Sequence, residues 1–238
     1  MKGNAMYLKF GKRFFDILLS GLAMLMLCWL YPVLALLVWL KLGRPVIFKQ
    51  PRPGKNNKIF YIYKFKTMLE ATDANGEPLP DDVRLTGFGK FLRKLSLDEI
   101  PELWNIFKGD MSFVGPRPQL VKDMVFFDDK QMERQKVLPG LTGLAQVNGR
   151  NSISWEEKLE IDLVYIRKIT FWQDAKIFFK TFVTALVQQD GITSDGLATA
   201  KNFGDYLLED GKISQEVYDL KILESKELLD KFKQKEAK

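Results

Sequence analysis

The chain has 238 residues, with no histidine and one cysteine, Cys28. The absence of histidine excludes Ser-His-Asp and Cys-His nucleophile systems, a histidine general base and histidine metal ligands. One cysteine cannot form an internal disulfide or a thiolate zinc cluster. Chemistry in this chain must therefore use carboxylates, lysine, arginine, tyrosine or a hard metal ion.

The charge balance is moderately basic, with 36 Lys and Arg residues against 30 Asp and Glu residues, a net charge of +6. Eight of the 36 basic residues flank an apolar segment, where attraction to anionic lipid contributes about 1 kcal/mol per basic residue. We therefore expect a lipid bilayer as partner and no nucleic acid. The length suits one domain with an appendage. We assign residues 1–198 to the domain and 199–238 to a helical C-terminal extension. The extension could mediate self-association as a homodimer or a contact with another partner.

The apolar segment lies between Asp16 and Lys41, where 24 residues carry no charge. As a helix they would extend about 36 Å, compared with about 30 Å of bilayer hydrocarbon. The pattern predicts a membrane segment at residues 14–40. A cleavable signal peptide is the rival interpretation, but the run exceeds the usual ~7–15 apolar residues and no small-residue cleavage site follows.

Pro32 interrupts this segment, and basic residues flank it on both sides: Lys2, Lys9, Lys12 and Arg13 before it; Lys41, Arg44, Lys49 and Arg52 after it. A single span would leave one basic flank on the wrong side of the membrane. We therefore favour a re-entrant segment that breaks at Pro32, next to Tyr31, over a single kinked span. Both flanks would then face the cytoplasm.

The rest of the chain predicts a mostly helical α+β fold. Val, Ile, Phe and Tyr at 46–50 and 59–65, separated by turn formers, indicate a β-hairpin. Helices are expected at 86–95, 101–108, 119–136, 154–168 and 171–189, a short strand at 111–114 and a loop at 139–152. The helix at 171–189 has one wide apolar face, which fits either the core or the membrane interface.

Asp98 and Glu99 are the first candidates for chemistry. Ser96 and Glu99 match a capping box, but Pro101 would then lie too deep in the helix. The acids more plausibly occupy a turn before a helix that starts at Pro101. Two adjacent carboxylates near basic residues suit one nucleophile and one Mg²⁺ ligand or base.

Several basic residues are candidate phosphate ligands. Arg117 lies between Pro116 and Pro118, whose rings restrict its backbone, and a rigid arginine can clamp phosphate. The alternative for Arg117 is a solvated side chain in a proline-rich turn. Lys64 and Arg150 could also bind phosphate, with a solvated position as the alternative for each, and Arg93 lies one or two helical turns before the acids. Asp162 lies between apolar neighbours on a predicted helix and needs a partner if it is buried.

Four long segments resemble the bacterial sugar transferases, the monotopic phosphoglycosyltransferases that begin glycan assembly on polyprenyl phosphate. They are residues 64–68 (KFKTM), 96–99 (SLDE), 104–118 (WNIFKGDMSFVGPRP) and 139–151 (PGLTGLAQVNGRN). The resemblance covers roughly residues 7–197 and is to the small form of the family. One departure is Tyr31, where the family often has serine before the membrane proline.

The resemblance implies that Asp98 attacks the β-phosphate of a UDP-sugar, expels UMP and holds the phosphosugar covalently. Polyprenyl phosphate then accepts it, at the cytoplasmic face of the bacterial plasma membrane. Glu99, with Asp98, would hold Mg²⁺. Lys64, Arg93, Pro116, Arg117, Pro118, Arg150 and Asp162 would form the substrate site. The alternative is a membrane-anchored, non-catalytic scaffold that binds nucleotide or anionic lipid.

Overall fold

The computed structural model describes residues 6–73, 76, 79–149, 153–187 and 201–237, with the side chains of 184–187 excepted. Its α-helices are α1 (Lys12–Leu27), α2 (Leu30–Leu42), α3 (Asp81–Arg84), α4 (Gly87–Lys94), α5 (Glu102–Lys108), α6 (Val121–Met124), α7 (Leu144–Asn148), α8 (Trp155–Arg167), α9 (Phe171–Val187), α10 (Phe203–Glu209) and α11 (Gln215–Glu236). A π-helical turn, Tyr7–Gly11, precedes α1, and 3₁₀ turns occupy Lys55–Asn57, Leu97–Glu99 and Gln131–Lys136. The strands are β1 (Ile47–Pro53), β2 (Ile59–Phe65), β3 (Ser112–Val114) and β4 (Gly140–Thr142). The fold is thus α+β and mostly helical, as predicted.

The N-terminal helices form a pair bent by 65° between Tyr7–Leu27 and Leu30–Leu42. Among the described residues no single helix has the length and hydropathy of a membrane span, and this pair meets the criteria only when taken together. The break lies at Cys28–Trp29, upstream of the predicted position. Pro32 lies in the first turn of α2 and cannot donate to the Cys28 carbonyl four residues earlier, so the helix is interrupted there.

Polar side chains of the first helix attach it to the rest of the protein. The buried Asp16 carboxylate accepts hydrogen bonds from the Ser112 hydroxyl and the Phe113 amide, both at 3.0 Å. Lys12 Nζ donates to the Val114 carbonyl at 2.8 Å and pairs with Asp174 of α9 at 2.5 Å. The first helix is therefore bonded directly to strand β3 and to α9.

The predicted hairpin is confirmed, with β1 and β2 antiparallel and Ile47 opposite Phe65. Phe60 and Ile62 of β2 pack with Leu103 and Ile106 of α5. Helix α5 ends as predicted at Gly109, whose φ of 102° favours glycine. These contacts place the hairpin beside the 3₁₀ turn Leu97–Glu99, which precedes α5 and carries Asp98 and Glu99.

Two sequence-based assignments were wrong. The helix expected at 119–136 is reduced to α6 and a 3₁₀ turn, because Asp128 accepts a hydrogen bond from the Gln131 amide and starts a new turn. The loop expected at 139–152 contains strand β4 and helix α7. Strand β4 pairs in parallel with β3, placing Gly140 opposite Ser112.

The apolar face of helix α9 is partly buried in the core and partly exposed. Ile177 is buried, and Phe178 packs against the cluster around Val114 and Tyr165. A further row of apolar side chains on α9 is exposed: Phe171, Trp172, Phe179, Phe182 and Val183. Together with the exposed apolar residues of α1 and α2, this row gives the protein a large apolar surface.

The C-terminal helices pack onto the rest of the chain. Leu228 and Leu229 of α11 contact the buried cluster that includes Val121 and Met124 of α6. The ring of Phe232 lies 4.9 Å from that of Tyr61 on the hairpin. The extension predicted at 199–238 is thus helical over its described part and contacts the domain.

Candidate functional site

The acidic turn lies between α4 and α5. Ser96 has a positive φ of 53° and makes no capping hydrogen bond with its side chain. Residues Leu97–Glu99 form a 3₁₀ turn, and α5 begins after Pro101. The capping-box alternative is therefore excluded, and the acids occupy a tight turn at the start of α5, as the proline indicated.

Glu99 is held by two cations. Lys64 Nζ and an Arg117 guanidinium nitrogen both donate to Glu99 Oε1, at 2.7 and 2.8 Å. Burial alone would raise the pKa of Glu99, but these two positive charges outweigh burial and hold the pKa well below its ordinary value. Glu99 is therefore ionised, and Lys64 and Arg117 are fixed beside it.

Asp98 is buried next to this cluster, with 7% of its surface exposed. Burial and the adjacent Glu99 charge raise the pKa of Asp98, while Lys64, Arg93 and Arg117 oppose the rise. Arg93 is oriented by its Nε, which donates to the Thr67 hydroxyl at 3.0 Å. The structure thus brings together the predicted residues Lys64, Arg93, Asp98, Glu99 and Arg117.

Glu102, on the first turn of α5, is a third acid that the sequence analysis missed. Its Oε1 lies 3.0 Å from Lys64 Nζ but makes no hydrogen bond, and the residue is 1% exposed. Burial, together with the charge of Glu99, raises the pKa of Glu102 to about 7. The i, i+3 spacing from Glu99 was the available sequence signal, since such residues share a helix face.

Arg117 is carried by a backbone segment held from two sides. Asp162 pairs with Arg134 at 2.7 Å, and Arg134 also donates to the Arg117 carbonyl at 2.7 Å. Arg52 donates to the Pro118 carbonyl at 3.2 Å, while the Pro116 carbonyl accepts from the Gly140 amide at 2.9 Å. Asp162 therefore acts through Arg134 on the backbone beside Glu99.

Arg134 and Arg52 were not identified from the sequence. Both make hydrogen bonds to residues distant in the chain, so no local pattern indicates them. Burial, with the nearby positive charge of Arg117, lowers the pKa of Arg52 to about 10. Its Nε is buried and has no hydrogen-bond partner. Arg150 lies outside the described residues.

A groove of about 880 Å³ passes Glu99 and Arg117. One group of its lining residues is apolar and comes from α1, including Leu19, Leu22 and Met26. A second group is polar, including Lys158, Asp162, Lys201 and Asn202. A separate apolar pocket of about 360 Å³ lies at the helix break, lined by Tyr31, Pro32, Pro101 and Trp104 among others.

The acids suit Mg²⁺ only together with a phosphorylated ligand. No three acids within the described ranges form a ready-made cation site. Mg²⁺ commonly uses one or two carboxylates plus phosphate oxygens and water. Glu99 is ionised, and both of its cationic partners bind Oε1, so Oε2 is not used by them. Glu99, with the neighbouring Asp98, therefore fits a cation that a diphosphate helps to hold.

Comparison with known proteins gives consistent matches. The sequence model of the bacterial sugar transferase family matches residues 7–188. The uncharacterized sugar transferase EpsL of Bacillus subtilis is 46% identical over 194 residues, which cover 81% of this chain and 95% of EpsL. The exopolysaccharide production protein ExoY of Rhizobium meliloti is 36% identical over 71% of this chain and 83% of its own length. The undecaprenyl-phosphate galactose phosphotransferase of Salmonella typhimurium is 36% identical over 77% of this chain, but the match spans only 42% of that protein.

Proposed function

We propose that this chain, which belongs to the bacterial sugar transferase family, transfers a sugar 1-phosphate from a UDP-sugar to polyprenyl phosphate. The observation that carries the proposal is the buried Asp98, set beside Glu99 and among Lys64, Arg93 and Arg117. Three cations around a carboxylate pair suit a ligand with a diphosphate. The Salmonella relative, an undecaprenyl-phosphate galactose phosphotransferase, supports the same general reaction.

In the proposed reaction, a carboxylate oxygen of Asp98 attacks the β-phosphorus of the UDP-sugar. The bond from that phosphorus to the bridging oxygen breaks, and UMP leaves with the electron pair. An oxygen of polyprenyl phosphate then attacks the same phosphorus, and the Asp98 carboxylate leaves. The products are UMP and polyprenyl diphosphate-sugar, and Asp98 is regenerated.

The neighbours of Asp98 would divide the remaining work. Arg93, Arg117 and Lys64 would bind the phosphate oxygens and stabilise the charge that develops on them. Asp162 and Arg134 would keep the Arg117 backbone in place. Mg²⁺, held by Glu99 and Asp98 with the diphosphate, would supply charge neutralisation.

The membrane would bring the lipid acceptor to this site. The bent pair α1–α2 and the exposed row on α9 present the apolar surface expected of a protein seated in a bilayer. A re-entrant α1–α2 would leave both basic flanks on the cytoplasmic face. The groove touches both α1 and Glu99, the neighbour of Asp98, so a lipid beside α1 would lie close to the proposed nucleophile.

The test is the identity of the released nucleotide. Purified full-length protein in detergent is incubated with Mg²⁺, polyprenyl phosphate and a panel of UDP-sugars. We expect UMP release with at least one donor, and a phosphosugar adduct on the peptide containing Asp98 in mass spectra without acceptor. UDP release would show transfer of the sugar alone and would overturn the proposed mechanism.

The matched variants are Asp98→Asn and Asp129→Asn, the second an exposed acid away from the site. Asp98→Asn should abolish both UMP release and the adduct, because an amide is a poor nucleophile. Asp129→Asn should behave like the unmodified protein. Full turnover by Asp98→Asn would rule out Asp98 as the nucleophile.

A further inference from the structure

We infer that the C-terminal extension completes the donor site, with Lys201 and Asn202 contacting the sugar nucleotide. Both residues line the groove that contains Glu99 and Arg117. Both lie beyond residues 7–188, the part of the chain that the family model matches. This inference rests on the proposed function and adds specificity-determining residues to it.

The extension is fixed at this point by buried contacts. The Phe203 amide donates to the Asp123 carboxylate at 2.8 Å, and Phe203 is 2% exposed. The Trp155 ring lies 5.2 Å from the Phe203 ring, and its Nε1 donates to the Lys201 carbonyl at 3.1 Å. The backbone around Lys201 and Asn202 is therefore held by α6 through Asp123 and by α8 through Trp155.

Packing after Asn202 adds to this attachment. A Cβ at Gly204 would overlap the Phe126 ring, so the Gly204 backbone lies directly on that ring. The Asn202 side-chain amide donates to Asp205 at 2.8 Å, and Asp205 accepts a hydrogen bond from Tyr218 of α11 at 2.6 Å. Asp205 therefore fixes the orientation of the Asn202 side chain, which lines the groove.

The chemistry of the lining indicates which substrate these residues meet. The residues contributed by α1 are apolar and suit the hydrocarbon of a polyprenyl chain. α8 and the extension contribute four polar residues, Lys158, Asp162, Lys201 and Asn202, beside the Trp155 ring. The Lys201 ammonium also pairs with Glu209 at 2.7 Å. A sugar nucleotide has hydroxyl, carbonyl and phosphate groups that such donors and acceptors can bind. We therefore assign this part of the groove to the donor.

The test measures steady-state kinetics of the full-length double variant Lys201→Ala/Asn202→Ala, varying donor and acceptor separately. We expect KM for the UDP-sugar to rise about tenfold, the size expected when hydrogen bonds to a ligand, one of them charged, are lost. KM for polyprenyl phosphate should stay unchanged. The matched control is Lys221→Ala, an exposed lysine on α11 that pairs with Glu224, which should change neither KM.

A second measurement is independent of turnover. Asp98→Asn protein, which should retain the donor, is labelled with an amine-reactive reagent in the presence and absence of UDP-sugar. We expect the donor to protect Lys201 and to leave Lys221 unprotected.

The outcomes separate the two proposals. Normal UMP release with unchanged donor KM in the double variant, or no protection of Lys201, would overturn the donor-site inference and leave the proposed function standing. Protection of Lys201 in a protein that releases no UMP with any donor would overturn the proposed function and support the binding site.

Discussion

Replacing Asp162 with Asn removes the negative charge that Arg134 faces in the interior. The two side chains are 6% and 1% exposed, and their nearest nitrogen and oxygen are 2.7 Å apart. Burial raises the pKa of Asp162 although the Arg134 charge opposes the rise, so desolvation of this pair is costly. The variant leaves a buried guanidinium without a counter-ion.

The expected loss is about 3–5 kcal/mol in the free energy of unfolding, as for other buried pairs that lose one partner. For a protein of this length each kcal/mol corresponds to about 2–4 °C, so the thermal midpoint should fall by about 6–20 °C. The assay is thermal unfolding in detergent at pH 7, followed by circular dichroism at matched protein concentration.

The matched control is Glu160→Gln, which breaks the exposed pair with Lys130 at 2.8 Å. Exposed pairs contribute about 0–1 kcal/mol, so its midpoint should barely move. Equal, small shifts in both variants would refute the argument that burial makes the Asp162 pair different.

A double variant separates stability from activity. Arg134→Met/Asp162→Leu removes both charges and should recover most of the lost stability, because a buried pair can often be replaced by apolar residues. It also removes the Arg134 hydrogen bond to the Arg117 carbonyl. Turnover should therefore stay low although the fold is restored.

Three further predictions concern the site and its surroundings. Lys64→Met should move the acid limb of the pH profile of kcat/KM to higher pH. The Lys64 charge lowers the pKa of Asp98, and activity is lost when Asp98 is protonated as pH falls. An acid limb at the same pH in the variant would contradict this. Glu102→Gln should raise the thermal midpoint at pH 8 and leave it unchanged at pH 4. The pKa of Glu102 is about 7 in the folded protein and about 4.5 in the unfolded chain, so the wild-type protein loses stability as pH rises through this range. Gly89→Ala should lower the free energy of unfolding by about 1–3 kcal/mol, because the added Cβ would overlap the Thr67 carbonyl oxygen. Gly87→Ala on the same helix is the control and should leave stability nearly unchanged, because the space around it is open.

The parts of the fold that sequence reasoning predicted are those determined by local chemistry. The hairpin follows from two β-rich runs around turn formers, and the end of α5 follows from Gly109. The start of α5 followed from Pro101, which argued against the capping box that the structure then excluded. Each of these signals acts within a few residues of the feature it determines.

The parts that were missed depend on distant contacts. Strand β4 has three residues and exists because it pairs in parallel with β3. A Cβ at Gly140 would overlap the Gly115 amide nitrogen, so the close approach of these two segments requires glycine. Nothing in the local sequence around 140 shows that partner.

The same distinction applies to the site. The motifs indicated Asp98, Glu99 and Arg117, and the geometry brings them together. Arg134 was missed because its two partners, Asp162 and the Arg117 carbonyl, are 28 and 17 residues away. Sequence patterns identified side chains of the charged cluster but not all those that hold the cluster in place.

The bonds from the first helix to β3 make the N-terminal segment a structural member of the catalytic unit rather than an interchangeable tether. Exchanging it for an unrelated hydrophobic helix would keep the protein on a bilayer but would remove Asp16 and Lys12 from Ser112, Phe113, Val114 and Asp174. Strand β3 leads directly to Arg117, so such a chimera should lose activity while remaining membrane-bound. Solubilising this protein for engineering therefore requires redesigning the exposed apolar side of the helix and preserving its inner face.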